Sequence, residues 1–74
     1  MRYELYDVVR LTTALPEQGL PAGTLGVVVL VYDESAESPS YEIELCDDRG
    51  ATLGLITIEG EALEPVQTAE KDGG

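Results

Sequence analysis

Histidine, tryptophan and phenylalanine are missing from this chain, and cysteine and methionine occur once each. Without histidine, no Ser-His or Cys-His nucleophile pair, histidine general base or His-ligated metal can be assembled from one copy, which removes most enzyme chemistries. A lone Cys46 forms no intrachain disulfide, so a framework of the secreted kind is excluded and a reducing compartment fits. The missing rings leave Tyr3, Tyr6, Tyr32 and Tyr41 as the only large aromatics. At least two of them are expected to lie across the core with their hydroxyls at its edge, because a buried phenol needs a hydrogen-bond partner. Basic residues are scarce as well, 4 against 15 acidic ones, for a formal net charge of −11. Arg2, Arg10, Arg49 and Lys71 are too few and too scattered to neutralise a row of phosphates, which argues against nucleic acid and anionic membrane surfaces as partners. The apolar run at 25–32 falls far short of the roughly 20 residues of a membrane helix, and Met1 leads directly into Arg2, Tyr3 and Glu4 with no apolar signal segment. A cytoplasmic protein is the simplest expectation.

What is present is a set of short β-branched runs in a chain of 74 residues, long enough for one small core and no more. The most informative is Leu20-Pro21-Ala22-Gly23-Thr24-Leu25-Gly26 leading into Val27-Val28-Val29-Leu30-Val31-Tyr32. Two glycines three apart suit a tight turn followed by a strand that curls over a core. Residues 3–13 read as a first strand with Leu5, Val9 and Leu11 on one parity. Ala14 to Gly23, with Pro16, Gly19, Pro21 and Gly23, reads as a long loop whose Leu15 and Leu20 tuck back onto the core. Leu25 to Tyr32 is the second strand; Tyr41-Glu42-Ile43-Glu44-Leu45 is the third, with Tyr41, Ile43 and Leu45 inward. Glu42 and Glu44 face solvent there and would discourage edge-to-edge pairing. Asp47-Asp48-Arg49-Gly50 reads as a hairpin tip, Ala51 to Ile58 pairs back with a bend or bulge at Gly54, Glu59 to Leu63 allows one 3-10 turn, and Glu64 to Gln67 allows a brief closing strand.

This order predicts an all-β fold, a small five-stranded SH3-like barrel with a short 3-10 turn before the last strand, spanning 1–67, followed by a flexible C-terminal tail at 68–74. An OB-like barrel is second, since it calls for longer strands and a true helix between the third and fourth.

The blocks Leu5-Tyr6-Asp7-Val8-Val9-Arg10-Leu11, Leu15-Pro16-Glu17-Gln18-Gly19-Leu20, Gly23-Thr24-Leu25-Gly26-Val27-Val28 and Tyr41-Glu42-Ile43-Glu44 resemble a family of short bacterial proteins known as a domain of unknown function. The resemblance spans roughly residues 3–67. It implies an SH3-like barrel and an antitoxin-like or accessory role beside another small protein. The Gly23, Gly26 and Val28 portion is also similar to the glycine-bearing segment of KOW-type and nitrile-hydratase-β-type SH3-like barrels; RNA-binding KOW domains are usually basic, so the likeness implies their fold and not their ligand. Glu4-Leu5-Tyr6-Asp7 resembles the ALYDY segment of eukaryotic SH3 domains, but the tryptophan that lines their polyproline groove is absent.

Candidate chemistry is sparse. Cys46 is followed by Asp47 and Asp48, which oppose the thiolate that a reactive cysteine requires. The carboxylate pairs Asp33-Glu34 and Asp47-Asp48 lack the alternating ligands, central glycine and terminal Glu of a calcium loop, so they read as solvated turns. Glycoside hydrolysis would require a substrate cleft that so small a barrel does not enclose. Exposed aromatics ringed by charge are how small modules anchor basic partners. Tyr3, Tyr6 and Tyr32 are the candidates for such anchors, with Asp33, Glu34, Asp47 and Asp48 as steering charge. The expectation is a non-enzymatic acidic interaction module with no cofactor, catalytic residue or metal, binding a basic protein partner. The alternative is a structural or assembly subunit of a larger bacterial enzyme complex.

Overall fold

Tyr41, Ile43 and Leu45 are at most 1% exposed, whereas Ser40, Glu42, Glu44 and Cys46 between them are half-buried, so the strict alternation of this segment becomes one dry face and one wetter face of a strand. That strand is the middle of the hairpins that build the fold. The computed structural model describes residues 2–66. Its strands are β1 (Val8–Leu11), β2 (Leu25–Tyr32), β3 (Ser40–Cys46), β4 (Thr52–Glu59) and β5 (Leu63–Pro65), with 3-10 turns at Pro16–Gln18 and Gly60–Ala62. They form one antiparallel sheet in the order β4-β3-β2-β1-β5. The all-β architecture, the five strands and the 3-10 turn before the last of them are as the sequence predicts.

Two bulges bend the sheet. Val28 pairs with Ile43 and Leu30 with Glu42, leaving Val29 as an extra residue in β2. The insertion flips the parity of the strand, so Val28 before it and Val31 after it both turn to the core. This is why Leu25 to Tyr32 is apolar on both parities. In β4, Leu45 pairs with Gly54 and Cys46 with Thr52, so the extra residue is Leu53, next to the glycine at which a bend was expected.

Gly23 and Gly26 serve different needs. Gly23 lies at φ 90°, in the left-handed region, and reverses the chain as its N–H donates to the Leu11 carbonyl at 2.8 Å. Gly26 is in ordinary extended conformation, but a Cβ there would sit 2.5 Å from Ile43 Cγ2 and 3.0 Å from the Glu44 carbonyl oxygen. Its missing side chain is what lets β2 and β3 fold tightly over one another.

The core comprises Tyr3, Val9, Leu11, Leu20, Val28, Tyr41, Ile43, Leu45, Ile56 and Leu63, with Leu15, Val31 and Ile58 packed on it. Burying each large aliphatic here contributes about 1.5–3 kcal/mol. Leu15 and Leu20 do fold back, joined by an isolated β-bridge that closes the 3-10 turn between them.

Five expectations are corrected. The first strand is Val8–Leu11, not 3–13, because a turn occupies residues 4–7: Asp7 N–H donates to the Glu4 carbonyl at 3.1 Å, and Tyr6 takes φ 72°. Leu5 is therefore on that turn and exposed, rather than in line with Val9 and Leu11. β3 is an interior strand, so Glu42 and Glu44 guard no edge; they are half-buried and hydrogen-bonded to Tyr32 and Thr52. The expected barrel is not closed by strand pairing, because β4 and β5 stand at opposite edges of the sheet. The closing strand is Leu63–Pro65; Gln67, expected in it, and the expected tail at 68–74 lie outside the described residues.

Tyr3 supplies a tie of its own. Its ring meets Tyr41 edge-on, centroids 5.5 Å apart at 81°, and its N–H donates to the Tyr41 hydroxyl at 3.0 Å. Its own hydroxyl donates to the Leu63 carbonyl in β5 at 3.1 Å. Tyr3 thus ties β3 to β5 through the core, while the edge strands β4 and β5 are not paired with each other.

Candidate functional site

The tyrosines and acids singled out in the sequence do not converge on one site. Tyr3 is only 6% exposed and is spent on the core, which removes it as a surface anchor. Burial, reinforced by Tyr41, Glu64 and Asp7 nearby, raises its pKa above the ordinary tyrosine value. Tyr6 is 74% exposed, held at the turn by its N–H donating to the Val28 carbonyl at 2.7 Å. A bulky residue at positive φ costs of order 1–2 kcal/mol; the hydrogen bonds of the turn hold it there. Tyr32 closes β2, and its hydroxyl donates to Glu42 Oε1 at 2.6 Å. That bond, which needs the phenol proton, is the main reason its pKa is also raised.

Asp33 and Glu34 follow Tyr32 in the β2–β3 loop, where the Arg2 guanidinium donates to the backbone carbonyls of Glu34 and Ala36. Asp47 and Asp48 lie beyond Cys46 at the other end of β3. Since a strand rises about 3.3 Å per residue, the two acidic pairs stand roughly 20 Å apart. Asp47 is used locally: its Oδ1 accepts from the N–H groups of Arg49 and Ala51, both at 2.9 Å, and so fixes the hairpin tip. Asp48 is exposed.

The residues that the sequence reading missed are aliphatic. Leu25, Leu30, Leu53 and Leu55 are exposed, Leu53 and Leu55 by 52% and 58%. In register, Leu25 lies against Cys46, Leu30 against Glu42, and Glu44 against both Val27 and Leu55. The outer side of β2, β3 and β4 is thus an apolar surface interrupted by two glutamates, with Glu44 Oε2 accepting from the Thr52 hydroxyl at 2.7 Å. At the hairpin end this surface deepens into an open cleft of about 350 Å³ between the Pro21–Thr24 turn and the β3–β4 tip, with Leu25, Cys46 and Leu53 in its walls and Asp47 and Asp48 on its rim. The Cys46 thiol is half-buried there, 3.7 Å from the Glu44 carbonyl. Sequence did hold a signal for this surface: in Thr52-Leu53-Gly54-Leu55-Ile56-Thr57-Ile58, leucines occupy one parity and isoleucines the other, so one aliphatic set has to face outward.

Chemically, this arrangement offers aliphatic contact area beside carboxylates. Among the described residues, no group of three or more His, Cys, Asp and Glu is placed to hold a metal ion. Among them, too, no helix is long and apolar enough to cross a membrane. Fold and surface define a small antiparallel β-sheet domain with a one-sided core and an outer face on which leucines alternate with carboxylates. The chain belongs to the family described as Domain of unknown function (DUF4926), whose model matches residues 5–65. Neither a curated protein nor a solved structure matches it.

Proposed function

We propose that this domain is a non-enzymatic interaction module that binds a basic protein, as the accessory or antitoxin-like member of a bacterial, cytoplasmic two-protein system. Its bent sheet, in which β5 returns to pair with β1, supports an SH3-like half-open barrel as its scaffold. The observation that carries the reading is the outer surface of β2, β3 and β4, where exposed leucines adjoin Glu42, Glu44, Asp47 and Asp48. Aliphatic contact area supplies affinity, and a net charge of −11 steers a cationic partner to it. Nucleic acid and anionic membranes are disfavoured by the same charge.

The test is capture from native lysate on the immobilised chain, followed by elution in rising salt. A steered basic partner elutes as ionic strength screens charges beyond about 8 Å. Stoichiometric capture that resists salt would instead favour a structural subunit of a larger complex, a reading supported by the long edge strand β4, which among the described residues pairs on one side only. Capture of RNA or DNA at low salt would overturn both.

A further inference from the structure

The two outermost strands of the sheet are β4 and β5, and only β4 is built to accept another strand. It is eight residues long, contains neither proline nor lysine, and among the described residues pairs on one side only, with β3. Exposed edge strands of this kind are normally blunted by charge, proline, brevity or a bulge, because their free N–H and C=O groups template pairing with another chain; the bulge of β4 lies at Leu53, next to its first residue, and the strand is regular beyond it. Within β4 the sole charged side chain is Glu59, at its last position. Along the strand, Leu53, Leu55 and Thr57 are exposed, while Ile56 and Ile58 turn toward the core.

We infer that the β4 edge is a strand-addition site whose occupant is an extended basic segment of the partner protein, about eight residues long with apolar residues at alternate positions. This rests on the interaction-module reading and names its surface. Charge chooses the occupant. Asp47 and Asp48 stand at the Thr52 end of the strand, Glu59 and Glu61 at the other, and Glu42 and Glu44 one strand inward; Arg49 at the hairpin tip is the one cation among them. An added strand would lie about 4.8 Å beyond β4, so lysine or arginine side chains at its two ends reach these carboxylates. Its core-side residues extend the row begun by Ile56 and Ile58. A second copy is the poorer occupant, since pairing β4 with itself brings together two chains that each carry −11.

The experiment titrates the full isotope-labelled chain with an octapeptide of alternating isoleucine and threonine bearing a lysine at each end, and with the same peptide bearing glutamates. With the lysine-ended peptide, amide shifts and slowed hydrogen exchange are expected to concentrate on β4 and to weaken with salt, and the glutamate-ended peptide is expected to bind about tenfold less tightly. Leu55→Lys and Thr57→Lys, both at exposed positions, should each lower affinity about tenfold. Gln18→Ala, exposed in the Pro16–Gln18 turn, should leave affinity unchanged. Perturbation centred on β1 and β5, or full affinity in both lysine variants, overturns the edge assignment. Dimerisation of the free chain through β4 overturns the choice of occupant. Polylysine distinguishes the two levels: if it binds in a salt-sensitive way while β4 stays unprotected, the edge inference falls and the module reading stands. If neither polylysine nor the octapeptide binds, both fall.

Discussion

The β5 side of the sheet is finished and the β4 side is not. β5 has three residues, ends in Pro65, and carries Glu64, whose Oε2 accepts from Arg10 Nε in β1 at 2.6 Å. It is also tied through the core, by its Leu63 carbonyl, to Tyr3 and so to Tyr41. β4 has more than twice the length, exposed leucines and nothing on its far side among the described residues. A domain this small has little stability to spare, so brevity, proline and an ion pair at one edge point to selection against stray pairing. None of these three devices appears at the other edge, where a bulge at Leu53 is the one interruption of β4.

The contrast is most directly broken at Tyr3. Tyr3→Ala should cost about 3–5 kcal/mol, by the measure of other large buried rings, and expose the β5 side; urea denaturation followed by circular dichroism reads the loss. Tyr3→Phe keeps the packing and should cost about 1 kcal/mol, because only the bond to the Leu63 carbonyl is lost.

Alkaline pH attacks the same tie. Burial raises the pKa of Tyr3 in the folded chain, so above the unfolded value, about 10, the native state holds a proton that the unfolded chain has released. Its contribution is complete below pH 10 and is lost as pH rises through the raised folded value. Tyr32, raised chiefly by its bond to Glu42, acts with the same sign. Denaturation midpoints measured across this range should fall, and fall less steeply in Tyr3→Phe. An equal fall in both proteins would show that Tyr3 stays protonated or is irrelevant to the tie.

Smaller effects sharpen the comparison. The Arg10–Glu64 pair is nearly half exposed on both sides, so Arg10→Ala should cost no more than about 1 kcal/mol, with the difference from the parent shrinking in salt. Smallest is the effect of moderate salt on the unaltered chain. Screening of 15 acidic against 4 basic residues should raise its melting temperature by a few degrees at most, measurable by scanning calorimetry. A flat response would mean that the acids are too dispersed to strain the fold, and would weaken the case for steering.

Much of the fold was legible because its signals are local. The alternation of Tyr41, Ile43 and Leu45, the Asp47–Gly50 tip and the span Leu25–Tyr32 require only neighbouring residues to be read. The first strand was misjudged for the opposite reason. Tyr3 and Leu5 look like the start of a β run, yet the bond from Tyr3 to Leu63 spans 60 positions, and the turn at Tyr6 follows from where the ring has to go. The candidate site was read less well. Tyr3 was assigned to a surface that it never reaches, and the four acids placed together fall at two ends of β3. The exposed leucines were missed because an aliphatic residue in a strand reads as core until its facing side is known.

Taken alone, the order of residues determined an acidic, all-β domain without histidine chemistry, its β2 and β3 strands and most of its interior, since composition and period-two patterning act over a few residues at a time. Tertiary structure decided which strands became edges, which tyrosine was swallowed and which leucines were left outside. Those outcomes depend on side chains distant in sequence competing for one small interior, where Tyr3 ties β3 to β5 and the surplus aliphatics of β2 and β4 are turned to the other face.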